Sequence, residues 1–342
     1  MRMNAKIAVK NAVAIVATVA GLAGVAVTTA ARAADMQTLV VAEPVHSTGY
    51  LPLYVAIHKG YFKADNLDVK ILTVQGGGAH TNAVLSHQAF AFIGGPEHNA
   101  FAKIKGAELR AVVNVVNRGN VYYVAKKGLT MKPGETPAQF FKGKSLAVSF
   151  FGGTPNSITR YLAATWKLEI GKDIKLNEMA NGAELAAVKA GAADIGVTSE
   201  PVLTRGVVEG VWGEPIYNVP KELGDYAYST LNIRLDSIQQ QPKVVAAFVK
   251  DVIKGLEFTY AHPDEAVAIA KKEFPTMSSA DLKATLDRSF ADNLWSKDGM
   301  VSPAAWTTGG TVVRTAGILK KDVAYDEIID MQFVKAALAS MK

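Results

Sequence analysis

Short apolar runs alternate with stretches of helical period from about Thr38 to Arg234. "TLVVAEP" (Thr38–Pro44) reads as a buried strand and "LPLYVAIHKGYF" (Leu51–Phe62) as a helix ending near Gly60. "LDVKILTV" (Leu67–Val74) predicts a strand, "HTNAVLSHQ" a helix and "AFAFIGG" (Ala89–Gly95) a strand. A short helix, "NAFAKIKG", and a strand, "ELRAVVNVV", complete the first series. The pattern then restarts. "SLAVSFFGG" (Ser145–Gly153) predicts a strand and "PNSITRYLAATW" (Pro155–Trp166) a helix with proline in its first turn. "IKLNEM", "GAELAAVKAG" and "ADIGVTSEP" continue as strand, helix, strand. Beyond Arg234 the chain turns helical: "PKVVAAFVKDVIKGLEF" places Val244, Val245, Phe248, Val249, Val252, Ile253 and Leu256 at helical spacing. Ser278 with Asp281, and Ser302 before Pro303, mark later helix starts. The β-α-β order predicts an α/β protein with a mostly parallel sheet covered on both faces.

The two series correspond weakly. "AVLSHQAFAFIGGPE" aligns with "AVKAGAADIGVTSEP", so that Ala83-Val84 matches Ala187-Val188 and Pro96-Glu97 matches Glu200-Pro201. "GGG" (Gly76–Gly78) and "GGTPN" (Gly152–Asn156) look like the same device in the two halves. Chance agreement between two alanine-rich units and a pair of like α/β lobes both fit these matches. With two lobes, the loops beyond the strands' carboxyl ends would meet around a ligand. Glycine there lets backbone approach a ligand, or simply makes a tight turn. The common nucleotide motifs do not fit. A G-x-G-x-x-G from Gly76 and Gly78 would need glycine where Thr81 stands, and "GKS" at Gly143–Ser145 has Ala138 in place of the upstream glycine.

The first 33 residues change the charge picture. Arg2, Lys6 and Lys10 precede an apolar core (Ala12–Val27), and Ala31-Arg32-Ala33 offers a cleavage site. This predicts a signal peptide over 1–33 and a location in a Gram-negative periplasm. Residues 1–33 carry four basic side chains and no acid, so their removal takes the formal net charge from +6 to +2. No basic stripe for nucleic acid then remains. No cysteine is present, which excludes disulfides, thiolate metal sites and a lipid-modified N-terminal cysteine. His80 and His87 stand seven residues apart, about 10.5 Å along a helix, too far to share a metal ion. No nucleophile–base–oxyanion set is supported by spacing, so neither enzyme chemistry nor a cofactor is expected.

"LPLYVAIHKGYFKADNLDVKI" resembles a stretch shared by the SsuA/THI5-like (NMT1, NitT/TauT) group of periplasmic substrate-binding proteins of ABC transporters. Asn66 stands where that family often has glycine. The likeness continues through "GGGAHTNAVLSHQAFAFIGGPEHNAFA", "FFGGTPNSITRYL" and "GAADIGVTSEPVLTR". In the last, Thr198-Ser199 replace an expected tryptophan. The resemblance implies a type II periplasmic-binding-protein fold, two α/β lobes around a central cleft with a helical C-terminal part. Lobe 1 would comprise 34–118 and 229–342, and lobe 2 would comprise 119–228. It implies a ligand site built from Val45, His46, Ser47 and Tyr50, from Gly77, Gly78, Ala79 and His80, and from Gly95, Glu97 and His98. Gly152, Gly153, Thr154 and Asn156 would face them, with Glu200 at a strand end. Phe92, Phe150 and Phe151 could stack on a ligand or sit in the core. The implied partners are a small molecule and an inner-membrane permease with its ATPase, the binding protein acting as a monomer. Glu97 and Glu200, with no lysine or arginine in these loops, favour a nitrogen-bearing heterocycle or amide over a sulfonate, nitrate or carboxylate. A soluble sensor subunit and a THI5-like pyrimidine synthase are the alternatives. The synthase branch has a cysteine-rich motif that this chain lacks.

Overall fold

The structure, a computed structural model, describes residues 36–341, and the leader read in 1–33 lies outside them. Its strands, in chain order, are β1 (Gln37–Glu43), β2 (Leu67–Thr73), β3 (Ala91–Gly94), β4 (Leu109–Arg118) and β5 (Tyr122–Ala125). There follow β6 (Ser145–Ser149), β7 (Lys175–Met179), β8 (Ile195–Thr198), β9 (Tyr217–Asn218) and β10 (Asp225–Arg234). They form two five-stranded sheets, ordered β2-β1-β3-β10-β4 and β7-β6-β8-β5-β9. The inner strands are buried on both faces: Val41, Ala42, Ala91 and Ile93 are fully enclosed. That is why they read as continuous apolar runs rather than as alternations.

Four of the five strands in each sheet run the same way, as the sequence predicts, and one is reversed. In the first, β1 runs parallel to β2 and β3, but β10 enters antiparallel between β3 and β4. In the second, β6 runs parallel to β7 and β8, and β5 is antiparallel to β8 and β9. A strand arriving from the other sheet enters from the opposite end, so each crossing reverses one strand. The chain passes to the second sheet between Arg118 and Tyr122 and returns between Asn218 and Asp225.

The shared topology also corrects the pairing of the glycine stretches. By strand order β6 is the counterpart of β1, β7 of β2 and β8 of β3. "GGTPN" therefore occupies the place of the loop after β1, and the counterpart of "GGG" is Ala180–Ala183 after β7. The alignment of Ala83-Val84 with Ala187-Val188 does agree with the topology, because both pairs lie on the helix leading into β3 or β8.

After β10 the chain is helical. Helix Pro242–Ala261 buries Val245, Phe248, Val249, Val252, Ile253 and Leu256 on one face, packed against helix Leu51–His58. Ser278 and Ser302 cap later helices, accepting from the backbone N–H of Asp281 and Ala305 at 3.0 Å each. Helix Ser279–Ala291 reaches helix Val202–Val208, and helix Pro303–Thr315 reaches helix Thr154–Thr165, so these C-terminal helices touch the second sheet's layer. No described helix is long and apolar enough to cross a membrane.

Candidate ligand-binding site

The carboxyl ends of β1, β3, β6 and β8 converge, and the loops leaving them enclose about 50 Å³ of space open to a water-sized molecule. Val45, Tyr50, Gly77, His80, Gly95 and His98 line it from the first sheet's side. Gly153 and Thr154 face them at the start of the helix after β6. These eight are residues expected from the sequence. Four polar side chains that sequence reasoning missed complete the wall: Ser149, Asn181, Ser199 and, on β10, Ser229. Tyr228 lies beside Ser229. Asn181 sits in the topological counterpart of the "GGG" loop, the one signal that could have found it. Ser199 stands where the family resemblance led to an expected tryptophan, so the wall there is a hydroxyl.

Glu97 lies directly behind this wall, 1 % exposed. Thr154 Oγ1 donates to its Oε1 at 2.6 Å, a bond that joins the two sheets' layers. Its Oε2 is buried and makes no hydrogen bond within the protein. The carboxylate folds back over Gly95, where a Cβ would lie 1.9 Å from Oε2, so any larger residue there would displace it. Burial pushes the Glu97 carboxyl up to about 7, against the lowering effects of Thr154 and a backbone N–H.

His80 is 2 % exposed, and neither ring nitrogen has a hydrogen-bond partner within the protein. Its ring meets Phe92 and His98 edge-on, with centroids 5.0 and 4.5 Å away. Burial holds His80 well below the ordinary histidine range, helped by His98, and lowers His98 to about 4. Both are therefore neutral near pH 7, each offering one donor and one acceptor. Ser149 Oγ is also buried without a partner. No lysine or arginine lines the cavity.

The glycines face each other rather than a phosphate. A Cβ at Gly77 would lie 2.0 Å from the carbonyl oxygen of Phe151, so the "GGG" loop packs its bare backbone on the loop after β6. Gly78 and Gly152 border a groove outside this contact, and Ala79 begins a short helix, Ala79–Leu85, without lining the cavity. Phe92 belongs to the core at 0 % exposure, whereas Phe150 and Phe151 are 42 % and 55 % exposed. Strand β6 ends at Ser149, so its alternation stops before either ring. Phe150 borders the cavity, and Arg160 lies over the Phe151 ring, 5.0 Å from its centroid.

Four expected residues have other partners. His46 leaves the cavity loop outward: Nδ1 contacts Glu43 Oε1 at 3.0 Å and Nε2 lies 3.3 Å from Glu273 Oε2. Burial alone would lower it, yet the bonds to Glu273 and Glu43 overcome that and raise it to about 10. Ser47 Oγ donates to the Glu200 carbonyl at 2.8 Å, tying the loop after β1 to the end of β8. Asn156 supports the loop after β6, donating to the Ser149 carbonyl at 2.8 Å and to Glu178 at 3.0 Å. The Glu200 carboxylate accepts from Thr204 N (3.1 Å), Thr204 Oγ1 (2.9 Å) and Arg288 Nε (3.0 Å), all outside the cavity wall. Among the described residues, no three His, Asp or Glu side chains are grouped to hold a metal ion.

Residues 47–266 match the family model described as NMT1/THI5 like. The Bacillus subtilis protein YtlA, named as a binding protein, is 24% identical over 300 residues, covering 86% of this chain and 88% of its own. The riboflavin-binding protein RibY of Chloroflexus aurantiacus is 24% identical over 302 residues, covering 83% and 82%. Among solved structures, the ligand-binding component of an ABC-type import system from Staphylococcus aureus, with zinc bound, superposes with a TM-score of 0.71. It is 19% identical and covers 88% of this chain and 99% of its own, a likeness of fold alone. The chain belongs to the NMT1/THI5-like family and carries its two-lobed type II periplasmic-binding-protein fold.

Proposed function

We propose that the protein is the solute-binding component of an ABC importer, exported to the periplasm and acting as a monomer. Its lobes would be the first-sheet layer with the C-terminal helices and, across the crossings at 119–121 and 219–224, the second-sheet layer. They close over one small uncharged, nitrogen-bearing molecule, a heterocycle or amide, and present it to a membrane permease with its ATPase. Binding rather than turnover is the reading, since no serine of the cavity is hydrogen-bonded to a histidine.

The observation that carries this reading is the set of polar atoms without partners on cavity-lining residues, both ring nitrogens of His80 and Ser149 Oγ, with Glu97 Oε2 unpartnered behind them. A buried polar group without a bond costs about 1–3 kcal/mol, which a ligand's matching groups recover. A ring N–H suits the Ser149 hydroxyl or the unprotonated His80 nitrogen, and a ring nitrogen or carbonyl suits the imidazole N–H. A nitrate or sulfonate would meet no cation and one carboxylate whose ionisation it would oppose. The name of RibY, a relative that binds a nitrogenous ring system, leans the same way.

Native mass spectrometry of the gently purified protein is the test. An adduct with the mass of a neutral nitrogen compound, lost on denaturation, is expected. Tight calorimetric binding of nitrate or an alkanesulfonate, with none for neutral heterocycles, would overturn the ligand class.

A further inference from the structure

The enclosed cavity has room for no more than a compact group. Its 50 Å³ compares with the roughly 300–1,000 Å³ of ordinary ligand pockets. A groove of about 560 Å³ adjoins it, and the two spaces share Gly77 and His98. Leu85, Phe101, Ile104, Phe151 and Ile318 give the groove apolar walls. Ile104 and Phe151 are among the few large apolar side chains left exposed on the described molecule, at 41 % and 55 %. Thr81 Oγ1 is buried in the same groove and makes no hydrogen bond within the protein. Lys105 and Lys320 stand on its border. No acidic side chain lines it, and neither lysine makes an ion pair among the described residues.

We infer that the groove is a second subsite for the same ligand, and this rests on the reading of the cavity given above. The ligand is a two-part molecule. Its compact uncharged nitrogenous head occupies the inner cavity. A flat apolar arm leaves the cavity at Gly77 and His98, the residues the two spaces share, lies between Phe101, Ile104 and Phe151, and carries an acidic group to Lys105 and Lys320. The division of charge follows the lining: the inner cavity has no cation, and the groove has two without acidic partners.

Isothermal titration of the exported chain with three graded probes tests this: pyrazole, 4-benzylpyrazole and 4-(1H-pyrazol-4-ylmethyl)benzoic acid, alongside uracil and nicotinamide as alternative heads. The aryl arm is expected to tighten binding about ten-fold by covering apolar surface. The carboxylate is expected to add about three- to ten-fold, screened by salt. Phe151→Ala should remove the first gain, and the exposed pair Lys105→Gln with Lys320→Gln the second. Heads that bind while arms add nothing, or gains that survive these substitutions, overturn the subsite alone. If no neutral head binds, the reading of the cavity fails and the subsite falls with it. Arms without effect, together with weakened permease stimulation in the lysine variants, would make the groove a docking face instead.

Discussion

At the scale of single residues the site is organised by the Glu97 carboxyl. Its folded value of about 7 lies above the ordinary 4.5, so it binds the proton more tightly when folded. Its contribution to stability is complete below about pH 4.5 and is lost as pH rises through 7, by about 3 kcal/mol in all. Glu97→Gln, which keeps shape and removes the charge, should therefore gain stability over the native chain as pH rises from 5 to 8. Urea unfolding at several pH values reads this, and a gap that stays constant with pH would show that Glu97 does not titrate there. His98 acts oppositely: with its folded value near 4, stability is lost as pH falls through that value. Glu200 provides the contrast. Its carboxylate is enclosed by Thr204 and Arg288, so Glu200→Ala should cost about 2–4 kcal/mol of stability by stranding them. Lost ligand affinity with unchanged stability would return Glu200 to the ligand.

At the scale of elements, the contact between Gly77 and the Phe151 carbonyl decides how closely two loops from different sheets approach. Gly77→Ala should hold them apart and weaken ligand binding by about ten-fold or more, as overpacking of about 1–3 kcal/mol would. Unchanged calorimetric affinity would mean that the loops part without cost. Much of this layer was legible in the sequence. β1 and β3 read as strands because both faces are largely buried, and helix Pro242–Ala261 read as a helix because one face is. Val45, Tyr50, His80, His98 and Thr154 follow from loops at strand ends. Side-chain direction in those loops was not legible. His46 and Glu200 neighbour cavity residues Val45 and Ser199, yet partners distant in sequence, Glu273 and Arg288, draw them away. Ser229 stayed hidden because periodicity marks a strand without saying where in a sheet it inserts.

At the scale of the whole molecule, bonds between the two layers define the closed form. Thr154 to Glu97, Ser47 to the Glu200 carbonyl and Arg288 to Glu200 and Glu214 all span it. Ligand that adds contacts on both sides should shift the population toward this form. Small-angle scattering should show a smaller radius of gyration with saturating ligand, and equal radii would count against closure. The His80 nitrogens, buried without a partner within the protein, are groups that a ligand held between the layers would complete.

The position of β10 has a consequence for how the chain is made. The first sheet is interrupted until residues 225–234 exist, because β3 and β4 do not pair with each other. An emerging polypeptide that has delivered its first 224 residues holds two bare strand edges facing a gap. The whole of the second sheet must be synthesised before that gap is filled, which makes the fold rich in contacts between distant residues and slow to complete. A fragment ending before Asp225 should aggregate rather than fold. With export as proposed, this late-arriving strand would be an asset during threading through a translocation channel: the connectivity itself postpones compaction until about two thirds of the sequence is through.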